Sequence, residues 1–95
     1  MVRYLTLVTL TDKGVREIKN SASRAAAFAD DVRAAGGTVI GQYWAVGQYD
    51  GAVIFDAPDE DISTSLLLKL AHEGYVRTQS QRIFNAEEFQ TVLTK

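Results

Sequence analysis

The pentad Gly47-Gln48-Tyr49-Asp50-Gly51 sets a phenol beside a carboxylate between two apolar runs. A carboxylate at the lip of an apolar sheet is a candidate general base, and an adjacent phenol can hand on a proton. Both residues also have simpler uses, which are the preferred readings: aspartate near a turn bonds the local backbone, and tyrosine packs across to a neighbouring strand. His72 is the single histidine. Helical spacing puts it beside Leu68, away from the apolar stripe, as a surface or interface residue, with general-base work as the lesser reading. One histidine without cysteine is a poor ligand set, so no metal is expected. Asp59-Glu60-Asp61 is explained by a helix start, where negative charge is favoured; a cation held by oxygens alone needs more ligands around one point. Arg77, Gln79 and Gln81 alternate along one side of a polar run. Near the aromatic pair Tyr43-Trp44 they would make a small-molecule pocket, the alternative being a solvated edge strand. The candidate catalytic residues are thus Asp50, His72 and Arg77, and the candidate ligand-binding residues are Tyr43, Trp44, Tyr49 and Gln79. No nucleophile elbow or phosphate cradle is present, and no cofactor is expected.

Those residues need a scaffold, and composition bounds it. Ninety-five residues make one domain, spanning 1–95. A net charge of −2 gives no field for nucleic acid. The lack of cysteine excludes disulfides and thiolate metal sites and makes a cytoplasmic setting the default. No apolar run approaches the ~18 residues that would span a membrane.

Tyr4 to Leu10 is rich in β-branched and apolar residues and reads as a first strand. Thr11-Asp12 offers an N-cap. Val15, Ile18, Ala22, Ala25, Ala29 and Val32 then recur at threes and fours, with Asn20-Ser21 marking a break, so a short helix to about Lys19 and a main helix over 22–35 are expected. Gly36-Gly37 ends it. Thr38 to Val46 is a second strand and Ala52 to Ala57 belongs to a third. Turning at Gly47-Gln48, in a type II′ hairpin, pairs 38–46 with 49–57 and sets Gly51 opposite Trp44, giving room beside the indole; Asp50-Gly51 is the competing turn. Pro58 and the acidic triplet open a second helix with Ile62, Leu66, Leu67 and Leu70 inward, and Gly74 follows its end. A polar strand over about 75–84 and a short helix at 85–89 capped by Asn85 complete the chain. This βαββαβ order predicts an α+β, ferredoxin-like sandwich: a four-stranded antiparallel sheet, central strands one and three, both helices on one face.

Helices on one face leave the other wet, yet three strands are apolar on both sides. Leu5 and Leu7 oppose Tyr4, Val8 and Leu10. Val53 and Phe55 oppose Ala52 and Ile54. Ile40, Trp44 and Val46 oppose Val39, Tyr43 and Ala45. A second apolar face of several hundred Å2 is unusual on a monomer. A further copy of the chain is the expected cover, as a homodimer or higher homo-oligomer, with no nucleic-acid or membrane partner.

Gly47-Gln48-Tyr49-Asp50, the stretch Ala52 to Asp59, Val76-Arg77-Thr78 and Phe84-Asn85-Ala86-Glu87-Glu88-Phe89 come in an order that resembles the GYD domain family. The likeness covers nearly the whole chain, including Leu10 to Gly14 and Ile18-Lys19. It implies a dimeric α/β-barrel, ferredoxin-like fold and oligomerisation through the sheet. It implies no established activity and carries over no catalytic residue. The tripeptide that names the family is interrupted here by Gln48. Two functions compete: a self-associating domain that takes a small apolar or aromatic ligand between subunits, and a cofactor-independent oxygenase or isomerase with its site in the sheet cavity.

Overall fold

The computed structural model describes residues 1–95 and follows the alternation of strand and helix signals. β1 (Val2–Leu10) leads into α1 (Asp12–Arg16), a 3-10 turn (Ile18–Asn20) and α2 (Ser21–Ala34). β2 (Thr38–Trp44), β3 (Gly51–Ala57), α3 (Glu60–Glu73), β4 (Val76–Ile83) and α4 (Ala86–Leu93) follow. The sheet runs β2-β3-β1-β4 with every neighbour antiparallel, so β1 and β3 are central and the fold is ferredoxin-like. No helix is long and apolar enough to cross a membrane.

Local chemistry places the ends. The Thr11, Asp59 and Asn85 side chains accept from the amides of Gly14, Ile62 and Glu88 respectively. Glu88 returns the bond by accepting from the Asn85 amide at 2.9 Å, a complete capping box. Past α2 and α3, Gly36 and Gly74 take the left-handed conformation at φ 89° and 85°. α2 and α3 pack on one face of the sheet, where Phe28 and Val32 of α2 and Leu66 of α3 meet Val53, Phe55 and Ala57 of β3. Phe28 stands edge-on to Phe55 and Tyr4 stacks on it, so the core is built around one ring. Thr6 is also fully buried there; its hydroxyl is satisfied by Ser80 at 2.8 Å.

Three expectations need correction. The apolar stripe does not continue from α1 into α2: Val15 and Ile18 are more than half exposed, while Phe28, outside that stripe, is buried. The 3-10 turn rotates the two segments out of phase, because its three residues per turn break the 3.6 period. The second correction concerns β2. Its register against β3 is the expected one from Gly41–Ile54 to Trp44–Gly51, but an irregularity between Val39 and Gly41 shifts the pairing by one residue. Val39 pairs with Phe55 and so shares the helix-covered face with Gln42 and Trp44, which a regular strand would forbid.

Third, the hairpin is not a two-residue type II′ turn, since Gly47 lacks the positive φ that such a turn requires. The Ala45 amide still donates to the Asp50 carbonyl at 2.9 Å, and Val46 to Tyr49 form an open loop above that bond. Asp50 is held by β1 instead: its amide donates to the Val8 carbonyl at 2.8 Å and its carboxylate accepts from the Leu10 amide at 2.7 Å. Tyr49 donates to Gln79 of β4 at 3.2 Å. These bonds pull residues 49 and 50 across the sheet and keep them from folding back over β2. Gly51 is required for a different contact from the one expected: a Cβ there would lie 2.7 Å from the Tyr43 carbonyl oxygen, whereas the indole has turned away toward α2.

Candidate functional site

Small residues face one another near the hairpin end of the sheet. Ser21 and Ala25 of α2 and Gly51 of β3 all border one space, and the missing volume leaves a cavity of about 480 Å3. It lies on the helix-covered side, walled by Val8 and Leu10 of β1, Phe28 of α2, Leu70 of α3 and Tyr75 before β4. Its size and apolar lining suit a small molecule. Two bonds fix the β2 wall to α2: Gln42 Nε2 donates to the Ala25 carbonyl and Trp44 Nε1 donates to Ser21 Oγ, each at 2.9 Å. Trp44 remains 58% exposed, so the cavity is open at this wall.

Three charged residues line it: Arg24, Asp50 and Glu73. Asp50 is engaged with the Leu10 amide. Glu73 is exposed. Arg24 donates from Nη1 to the Glu17 carbonyl at 3.0 Å, and its guanidinium carbon lies 4.3 Å from the Tyr75 ring centroid, a cation–π contact. Its Nη2 is buried and has no hydrogen-bond partner.

The candidate residues named from sequence divide into two groups. Asp50 and Trp44 line the cavity, and Tyr43 borders it while its ring lies on the other face of the sheet, over Gly41; Tyr49, His72, Arg77 and Gln79 do not line it. Tyr49 and Gln79 bond to each other, and His72 and Arg77 stand exposed on α3 and β4. No three His, Cys, Asp or Glu side chains gather as a metal-holding group. Arg24 went unnoticed, although the signal was present: it is the one charge within Ser21 to Ala27, a run of small residues that could only leave space beside it.

The opposite, helix-free face has a different character. Leu5 pairs with Ile54 and Leu7 with Ala52, and β2 adds Tyr43 beside Ala52. Tyr43 is 61% exposed. Gln79 and Gln81 of β4 flank the leucines on the other side. At one end Arg3 grips Asp56 through two bonds, Nε to Oδ1 at 2.7 Å and Nη2 to Oδ2 at 3.0 Å. The hydrogen bond from Arg3 holds the Asp56 carboxyl below its ordinary range against the opposing effect of burial. α4 packs closely on no other element, and Phe89, Val92 and Leu93 stand exposed along it.

The family model described as GYD domain matches residues 4–93. No curated protein matches the chain.

Proposed function

The chain belongs to the GYD domain family, and from that premise we propose that it works as a self-associating domain that takes a small apolar or aromatic ligand, with a second copy covering the helix-free side of the sheet. The observation that carries this reading is the uncovered strip Leu5, Leu7, Ala52, Ile54 and Tyr43, which crosses three strands. Both packing helices are already committed to the other face. Sheet spacing gives this face roughly 20 by 25 Å, about 500 Å2. A stable interface removes about 800 Å2 from each partner. The exposed apolar residues Phe89, Val92 and Leu93 of α4 are assigned to the same interface, to make up the difference. The ligand is assigned to the cavity under α2, where the sheet supplies one wall and Trp44 part of another.

Light scattering on a purified micromolar solution tests the assembly: a mass at least twice 10.4 kDa is expected, and a 10.4 kDa species overturns it.

A second reading, the cofactor-independent oxygenase or isomerase, draws on Asp50, which lines a cavity of substrate size. Against it, Asp50 is bonded to the Leu10 amide, and neither His72 nor Arg77 reaches the cavity to share proton transfer. Asp50→Asn keeps an acceptor for that amide. Turnover of any substrate found, lost in this variant with the fold intact, would favour the enzyme.

A further inference from the structure

We propose that Arg24 is the polar handle of the cavity, and that the ligand is an apolar ring or chain bearing one oxygen acceptor, a carboxylate or a carbonyl, that pairs with Nη2. The proposal rests on reading the cavity as a ligand site. Among the charged groups of its walls, Arg24 alone has a polar atom that is both buried and unpartnered. Such groups are rare, because a donor cut off from water and left without an acceptor is expensive. The two carboxylates make no comparable demand. Asp50 already accepts from the Leu10 amide at 2.7 Å, and Glu73 is exposed, where water satisfies and screens it. The wall therefore asks for an acceptor, and the apolar residues around it ask for a hydrocarbon body.

Arg24 is also placed to serve as a handle. Nη1 is anchored on the Glu17 carbonyl at 3.0 Å, and the guanidinium rests against Tyr75, itself a wall residue. The fork keeps Nη2 beside that anchored nitrogen, and in the proposed complex Nη2 donates to the ligand oxygen. Guanidinium donors suit the plane of a carboxylate and serve a lone carbonyl as well.

The chain has one tryptophan, and its indole N–H donates to Ser21 in the cavity wall, so the Trp44 indole resonance in 1H–15N NMR spectra reports occupancy directly. Three probes of matched shape are titrated: 2-naphthoate, 2-acetylnaphthalene and 2-methylnaphthalene. At least one oxygen-bearing probe is expected to bind roughly tenfold or more tightly than the hydrocarbon, and which of the two does so identifies the acceptor. In Arg24→Met that advantage disappears. Equal binding of all three, or an advantage unchanged in Arg24→Met, overturns the proposal and leaves the cavity reading standing. If no probe moves the Trp44 resonance, the cavity reading itself fails. Should Arg24→Met lose its dispersed spectrum, Arg24→Lys, which keeps the charge without the forked donors, is expected to narrow the advantage; an undiminished advantage there also overturns the proposal.

Discussion

The two faces of the sheet are built from alternate residues of the same strands, yet they obey different rules. On the covered face Phe55, Val53 and Thr6 are buried, and the Thr6 hydroxyl has its partner in Ser80. On the open face Ile54, Leu7 and Leu5 are of the same chemical kind but only half-buried. Hydropathy alone does not distinguish the two. What does is the polar frame: the open face ends in the Arg3–Asp56 pair and a row of β4 glutamines, whereas the covered face gives way to helices. An apolar patch within a polar frame is the pattern of a surface that meets a partner, whose buried centre is apolar and whose rim is wet.

Cutting one residue from each face tests the contrast most strongly. Phe55→Ala removes the ring around which the core is built and should cost about 3–5 kcal/mol, read by chemical denaturation. Ile54→Ala, one residue away, should cost about 1–2 kcal/mol in a monomer, because the side chain already meets water there. In an assembled protein the cost of Ile54→Ala should rise with protein concentration while that of Phe55→Ala does not. Concentration-independent costs for both would show the open face to be uncovered. Next in size is Leu7→Glu, which sets a carboxylate at the centre of the strip. It should weaken association by about two orders of magnitude or more, giving a 10.4 kDa species by light scattering with unchanged circular dichroism.

Much of this contrast could be read from the residues, for reasons that also explain what could not. Thr11, Asp59, Asn85, Gly36 and Gly74 act within one turn of chain, so the element ends were legible. The strand order followed from connectivity, and the pairing of Trp44 with Gly51 from counting outward from the loop. Phase errors arose where one residue changes the count. The 3-10 turn before α2 hid Phe28 from the helical stripe, and the irregularity at Val39/Gly41 moved Thr38 and Val39 each to the other face. The cavity was illegible because it is made by what is missing, namely the side chains that Ser21, Ala25 and Gly51 do not have. Reading it requires knowing that the start of α2 lies beside β2, bonded to Gln42 and Trp44, which is a tertiary fact. Asp50 stood out by type, but its bond to Leu10, forty positions away, gives it a structural task.

A finer test concerns the polar end of the open face. The Arg3 bond holds the Asp56 carboxyl below its ordinary value near 4, so the folded state resists protonation there. A depressed folded value means that the pair's contribution is fully present above the unfolded value and is lost as pH falls through the folded one. Stability should therefore decline on acidification below about pH 4, and Asp56→Asn should flatten that part of the profile in thermal melts. Because Arg3 is partly exposed, the change should be modest. A profile identical in Asp56→Asn would show that the pair frames the face without stabilising it.

The smallest effect decides whether α4 belongs to the open face. Asn85→Ala removes one half of a capping box, worth about 1 kcal/mol to the helix it starts. An eight-residue helix is marginal alone. In the Leu7→Glu background, where no partner is present, the lost cap should fray α4 locally: its amides exchange faster, while the melting temperature hardly moves, because no other helix or strand packs closely on it. In the otherwise natural chain the result depends on where Phe89, Val92 and Leu93 lie. If a second copy holds them, α4 stays protected and the cost appears as roughly fivefold weaker association for each 1 kcal/mol. If α4 frays equally in both backgrounds, the helix takes no part in the interface. The open face would then have to reach a stable contact area without it, which a sheet of this width does not do.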